Sequence, residues 1–175
     1  MAVILPVEGV HPKFGKGCFV APNATIVGDV VMGDGCSVWF NTVIRGDVNS
    51  IRIGNKVNIQ DGAVLHCTFQ KTKTVIGNNV SIGHNAIVHG CLLHDNVLVG
   101  MGAIIMDEAE VGSNSIVAAG AVVLEGTKIE EGSIYAGVPA KKVKDISSEL
   151  ISGQIERIAN NYIHYASWFK DANAL

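Results

Sequence analysis

The chain has 175 residues, with 16 Asp and Glu against 13 Lys and Arg and a formal charge of −3. A single domain of this length buries an ample core, and the mild acidity without a basic cluster excludes nucleic acid and anionic membrane as expected partners. Four cysteines, at 18, 36, 67 and 91, show no CxxC spacing, and a cytoplasmic location is the default expectation.

The N-terminal run Ala2–Leu5 is too short for a signal peptide or a membrane span and lacks a basic n-region. From Val20 the chain repeats every six residues, as VAPNAT, IVGDVV, MGDGCS and VWFNTV. Most units open on Ile, Leu or Val, and the fifth residue is usually Ala, Ser, Thr or Val. Three extra residues then appear around Val48-Asn49-Ser50. The frame resumes with IGNKVN and IQDGAV, and Cys67–Val75 makes a coil longer by five. Its two Lys and three Thr read as a loop leaving the repeat, and such insertions gather on functional faces. IGNNVS and IGHNAI follow, the unit Val88–Leu92 is one residue short, and from Leu93 eight units run unbroken to Ala140.

Hexapeptide repetition over this length predicts a parallel β-helix. Each unit supplies one short strand and one corner, and three close a triangular rung. The first residue points inward, the fifth must be small near the corner, and Gly or Asn tolerates the backbone there. Rungs stack about 4.8 Å apart. From Asp145 the period changes: Ile151, Ile155, Ile158, Tyr162, Tyr165 and Phe169 form one apolar stripe of a helix. Asp145 or Ser147 caps its start, and the stripe is expected to clamp the solenoid wall. The expected division is solenoid over 1–144, then helix and tail over 145–175.

Counting rungs through the slips puts Ile44, Leu65 and Val88 on one face. Arg45, His66 and His89 follow them directly and form a vertical outward stack. Ile59 and Ile82 share the preceding face, with Asp61 and His84 at matching positions. His66 and His89 are placed to share a metal, whose ligand nitrogens lie about 2.1 Å from a zinc ion. His84 stands five residues before His89, a span approaching about 15 Å when extended, so it cannot close the same site within one chain. A threefold arrangement brings a neighbour's His84 to the His66/His89 face, giving an intersubunit site with three histidines and an open position. Cys67, beside His66, reads as an idle thiol, and Cys36, at a small inward position, as a buried hydrophobe.

Arg45-Gly46-Asp47, Asn58-Ile59-Gln60-Asp61, His66 and His84-Asn85-Ala86-Ile87-Val88-His89-Gly90 together resemble the γ-class carbonic anhydrases, and the likeness covers nearly the whole chain. The resemblance implies an all-β, left-handed parallel β-helix with a C-terminal α-helix packed on it. It implies a homotrimer whose metal sites lie between subunits on His66, His84 and His89. The reaction so implied is reversible hydration of CO2 to bicarbonate by metal-bound hydroxide. Zn2+ is the default metal, and Fe2+ or Co2+ suits the same imidazole set. By the same likeness Gln60 orients solvent at the metal, Asn58 positions substrate or solvent, and Tyr135 reaches the pocket, although its unit also reads as solenoid core. Arg45 and Asp61 match an intersubunit ion pair, and Asp47 a further interface acid.

The likeness departs at two places. Val48 stands where the best-known members carry a proton-moving glutamate, and Cys67–Val75 contains no acid, which implies low turnover. Gly137-Val138-Pro139-Ala140-Lys141 resembles the last coil of hexapeptide acyltransferases that bind coenzyme A. A metal-dependent thioesterase, an acyltransferase and a catalytically silent trimeric scaffold are the alternative expectations.

Overall fold

The computed structural model describes residues 1–169 and is a left-handed parallel β-helix of three faces closed by one C-terminal helix. The first face stacks Val64–His66, Ile87–His89, Ile104–Ile105 and Val122–Val123. The second stacks Thr74–Ile76, Leu92–Leu93, Glu110–Val111 and Lys128–Ile129. The third runs from Phe19–Val20 through Ser37–Val38, Asn58–Ile59, Ser81–Ile82, Leu98–Val99 and Ile116–Val117 to Ser133–Ala136. Two longer strands, Thr25–Met32 and Val43–Ile53, bend from the first face onto the second.

The hexapeptide explains this packing residue by residue. Ile26, Ile44, Leu65, Val88, Ile105 and Val123 make one fully buried column behind the first face. Burying each such side chain stabilises the stack by about 1.5–3 kcal/mol. The fifth positions Ala24, Ala63, Ala86, Ala103 and Ala121 form a second buried column, where a larger side chain has no room. At the corners Asn79, Asn96 and Asn114 hold φ of 56°, 58° and 54°, a left-handed region that Asn tolerates. Their side chains ladder from rung to rung, Asn79 Nδ2 donating to Asn96 Oδ1 at 2.8 Å and Asn96 Nδ2 to Asn114 Oδ1 at 3.1 Å.

The three register slips fall where the sequence puts them. Residues 48–50 are absorbed as an irregularity within Val43–Ile53, and the partner strand shifts register between Gly28 and Val30. The long coil turns outward at residues 69–71 and re-enters the stack at Thr74.

The end of the solenoid differs from a simple continuation of the repeat. After Ser133–Ala136 the chain reverses, and Lys141–Asp145 pairs antiparallel with it, covering part of the last rung's open edge. Asp145 therefore ends a strand and pairs with Lys142 Nζ at 2.9 Å, and Ser147 is the helix cap, accepting from the Leu150 amide. The helix starts at Ser148–Leu150, widens into π turns over Ile151–Glu156 and continues as Arg157–Ser167. Its buried Ile155 and Ala159 face the solenoid. Trp39 anchors it edge-on against Tyr162 and Phe169, with ring centroids 5.2 and 5.7 Å away. The apolar stripe is thus a clamp on the third face. Among the described residues no helix is long and apolar enough to cross a membrane.

Candidate metal centre

The strands Val64–His66 and Ile87–His89 pair in parallel with His89 directly opposite His66. Leu65 and Val88 are locked in the core, so strand alternation forces both imidazoles outward on neighbouring rungs. His66 Nδ1 and His89 Nε2 stand 3.2 Å apart. Two nitrogens at metal distances of about 2.05 Å on a tetrahedral ion are separated by about 3.3 Å, so this pair spans one edge of such a site.

Each imidazole is held from behind. His89 Nδ1 lies 2.7 Å from Asp107 Oδ1, which leaves Nε2 toward His66. Asp107 also accepts from Thr68 Oγ1 at 2.6 Å and Thr72 Oγ1 at 3.1 Å, both on the long coil. Partial burial pushes the Asp107 carboxyl up, but the hydrogen bonds from Thr68, His89 and Thr72 outweigh it and hold it below the ordinary range. His66 Nε2 lies 3.2 Å from Asp47 Oδ1, and Asp47 is ion-paired with Arg45. Burial, then the Arg45 charge, lowers the His66 pKa and favours the neutral imidazole that ligates metal. Gly90 makes this packing possible. Its φ is 55°, and a Cβ there would collide with Asp107 Oδ1 and Thr72 Oγ1.

His84 occupies the preceding corner, two residues beyond the buried Ile82. Its Nδ1 stands 3.0 Å from Asp61 Oδ2, the residue one rung earlier in the same register. Its Nε2 faces the Tyr162 hydroxyl of the clamp helix at 3.5 Å, which is long for a hydrogen bond. Burial, reinforced by the Asp61 charge, pushes the Tyr162 phenol up to about 12, so it keeps its proton. A cavity of about 410 Å³ opens here between the third face and the helix, lined by Gln60, His84, Met101, Ile158, Tyr162 and Tyr165 among others. Gln60 Nε2 donates to Asn58 Oδ1 at 2.9 Å, and Asn58 Nδ2 donates to Ser81 Oγ at 2.7 Å. This buried file fixes the Gln60 amide at the cavity wall.

One chain brings together Arg45, Asp47, His66 and His89 on one face, and Gln60, Asp61 and His84 at the corner before it. Among the described residues no three His, Cys, Asp or Glu side chains converge on one point, and the two groups stay apart within the chain. Arg45 and Asp61 do not pair with each other within the chain; their partners are Asp47 and His84. Tyr135 is not brought to either group. Its register with Val117 puts it in the inward column of the third face, three rungs or about 14 Å beyond Ile82.

The sequence reading missed Asp107, Thr68, Thr72 and Tyr162. Asp107 was within reach of the same rung count, since Ile105 lies opposite Val88 and Asp107 is two residues on. The coil threonines and Tyr162 depend on how a loop and a helix fold back, and no repeat encodes that.

Against known proteins, a family model described as bacterial transferase hexapeptide (six repeats) matches residues 11–46 and 90–125. The carbonic anhydrase of Geobacillus kaustophilus is 40% identical over 168 residues, which cover 96% of this chain and 91% of that one. The mitochondrial gamma carbonic anhydrase 2 of Arabidopsis thaliana is 40% identical over 93% of this chain, and the match spans 60% of that relative's length. Among solved structures, the product of the BC4754 gene of Bacillus cereus, provisionally described as an acetyltransferase, superposes with a TM-score of 0.94 at 37% identity, covering 98% of both chains.

Proposed function

The chain belongs to the γ-class carbonic anhydrase family, and from that premise we propose that it interconverts CO2 and bicarbonate at a divalent metal held between subunits of a homotrimer. One observation carries the reading: each of the three histidines has one ring nitrogen on its own carboxylate. Asp47 holds His66, Asp107 holds His89 and Asp61 holds His84, at 3.2, 2.7 and 3.0 Å. Carboxylate behind imidazole fixes the tautomer and strengthens the ligand, which is the second shell that metal sites use. His66 and His89 of one protomer with His84 of the partner subunit would hold the ion. Zinc is the default, and imidazoles serve iron or cobalt as well. A divalent cation so held brings the ionisation of a water ligand toward neutral pH, for which zinc in carbonic anhydrases is the standard example.

The chain's own groups support the rest. Gln60, pinned by Asn58, orients solvent and CO2 at the cavity wall beside His84. The exposed Met106 and Leu124, stacked in the rungs beyond His89, and the exposed Ile87 two residues before it give a neighbouring copy an apolar surface to cover. The Arg45 guanidinium, paired with Asp47, is half exposed, and in a trimer it would also meet the Asp61 carboxylate of an adjoining protomer. Four free thiols fit a reducing, cytoplasmic setting. Turnover is expected to be slow, because Val48 and the acid-free coil supply no carboxylate to carry the proton away.

Stopped-flow CO2 hydration on anaerobically purified protein, with metal content measured and zinc, iron and cobalt forms compared, tests the proposal. Metal-dependent turnover that disappears in His89→Ala supports it. Stoichiometric metal without turnover in any form sinks the hydratase and redirects the same site to thioester cleavage. Turnover on acyl-coenzyme A that survives chelation points instead to acyl transfer, which needs one basic histidine and no ion.

A further inference from the structure

Cys18 and Cys36 precede the third-face strands Phe19–Val20 and Ser37–Val38 at the small inward position. The register Phe19↔Ser37 puts them side by side on adjacent rungs, and the Phe19 amide donates to the Cys36 carbonyl at 2.9 Å. Opposed residues on neighbouring strands lie about 4.8 Å apart, within the Cα separation that a disulfide spans. Both thiols are free and set alike, Cys18 Sγ 3.2 Å from the Gly33 carbonyl oxygen and Cys36 Sγ 3.1 Å from that of Gly54. A χ1 rotation of one turns its sulfur toward the other.

Cys18 is half-buried whereas the other three cysteines are buried, and of those three Cys36 is the one that shares a cavity with it. A cavity of about 280 Å³ beneath the end of the clamp helix is walled by Cys18, Cys36, Phe19, Ile163 and Phe169. Cys91 is sealed in the core, and Cys67 is buried with its sulfur 3.5 Å from Thr74 Oγ1. The contact between the two sulfurs lowers the Cys18 thiol, and the same contact together with burial pushes Cys36 up. Burial pushes Cys67 up and Cys91 up to about 12. Cys18 is the half-exposed sulfur and therefore the attacking one, and the buried Cys36 beside it is the resolving one.

We propose that Cys18 and Cys36 are a redox-modified dithiol, closed to an intrachain disulfide by a hydroperoxide that enters this cavity. With hydrogen peroxide, the Cys18 thiolate attacks one oxygen, the O–O bond breaks, and the leaving hydroxide takes up a proton as water. Cys18 is then a sulfenic acid. The Cys36 sulfur, giving up its proton, attacks the Cys18 sulfur, the S–O bond breaks and a second water leaves. Two thiols and one peroxide become one disulfide and two waters. The bond staples the first two rungs of the third face under the helix end, away from the histidines.

The test is limited oxidation of the native protein with hydrogen peroxide at neutral pH, followed by thiol titration and peptide mapping. Free thiols should fall from four to two, with one cross-linked peptide pair joining Cys18 to Cys36. Cys18 should react about tenfold faster than Cys67 or Cys91. In Cys36→Ser, Cys18 should persist as a sulfenic acid that dimedone traps, and Cys18→Ser should leave Cys36 unreacted. Oxidation that starts at Cys67 or Cys91, a Cys18 cross-link between chains, or a Cys18 no faster than the other thiols overturns the proposal.

Discussion

From Leu92 to the last rung, each strand meets its successor eighteen residues on: Leu98 with Ile116, Ile104 with Val122, Glu110 with Lys128. Between Val30 and Leu92 the interval is 21, 23 or 17, as in Val30 with Ile51, Val64 with Ile87 and Val75 with Leu92. Both stretches bury the same aliphatic columns, yet Arg45, Asp47, Gln60, Asp61, His66, His84 and His89 all stand in the irregular one. The regular rungs contribute Asp107. An unbroken repeat stacks like on like and leaves polar groups no reason to converge. An insertion frees chain that can return against the stack, as Thr68 and Thr72 do to hold Asp107. Regularity carries the core, and its interruptions gather the polar side chains.

Breaking the irregular half should have the largest effect. His84→Ala and His89→Ala, each alone, should reduce hydration to the buffer background while the fold persists. Refolding the two variants together should restore activity, because about a quarter of interfaces in a random mixture then pair an intact His66/His89 face with an intact His84 corner. Mixed trimers as dead as their parents would refute a site shared between subunits. In the regular half, Leu93→Ala should cost about 3 kcal/mol in denaturant unfolding and leave turnover per folded molecule unchanged. A loss of kcat there would erase the division of labour.

Asp107→Asn probes the one residue that links the halves. It should weaken metal binding about 10- to 100-fold in chelator competition, with the metal-free melting temperature unmoved. An unchanged affinity would reduce Asp107 to a loop anchor. The smallest effect is expected for Lys71→Ala. Lys71 pairs with Glu125 at 2.7 Å and Glu108 at 3.6 Å, but these are exposed contacts that solvent screens. Neither affinity nor melting temperature should change measurably, and a clear loss of either would mean that charge, not the threonine hydroxyls, holds the coil.

Much of this could be read from the hexapeptide frame, because a strict period turns counting into geometry. Allowing three, five and minus one residues at the slips puts His66 opposite His89 and Asp61 one rung before His84, as the pairing has them. Where the frame ends, so does legibility. Tyr135-Ala136-Gly137-Val138-Pro139-Ala140 reads as one more unit, but the chain reverses through it into an antiparallel strand. The 4-3 stripe of the helix conceals π turns, since it records which face is apolar and not how each turn is hydrogen-bonded. Tyr162 reaches His84 through helix docking, a tertiary event that local spacing does not carry. Cys36 was legible as a small inward residue, but its neighbour Cys18 and the cavity they share appear only once the rungs are stacked and the helix closes over them.

The coil that arches away from the stack after His66 has a thermodynamic consequence. Its hydroxyls grip the carboxylate behind His89, so opening of the coil and loosening of that imidazole are one event seen from two ends. A ligand that favours the ordered imidazole must then oppose the opening by the difference between its affinities for the closed and the opened coil. The amides of Thr68 to Thr72, which belong to no strand, should therefore exchange hydrogen more slowly once metal is bound, and the coil becomes a gauge of an ion it never touches.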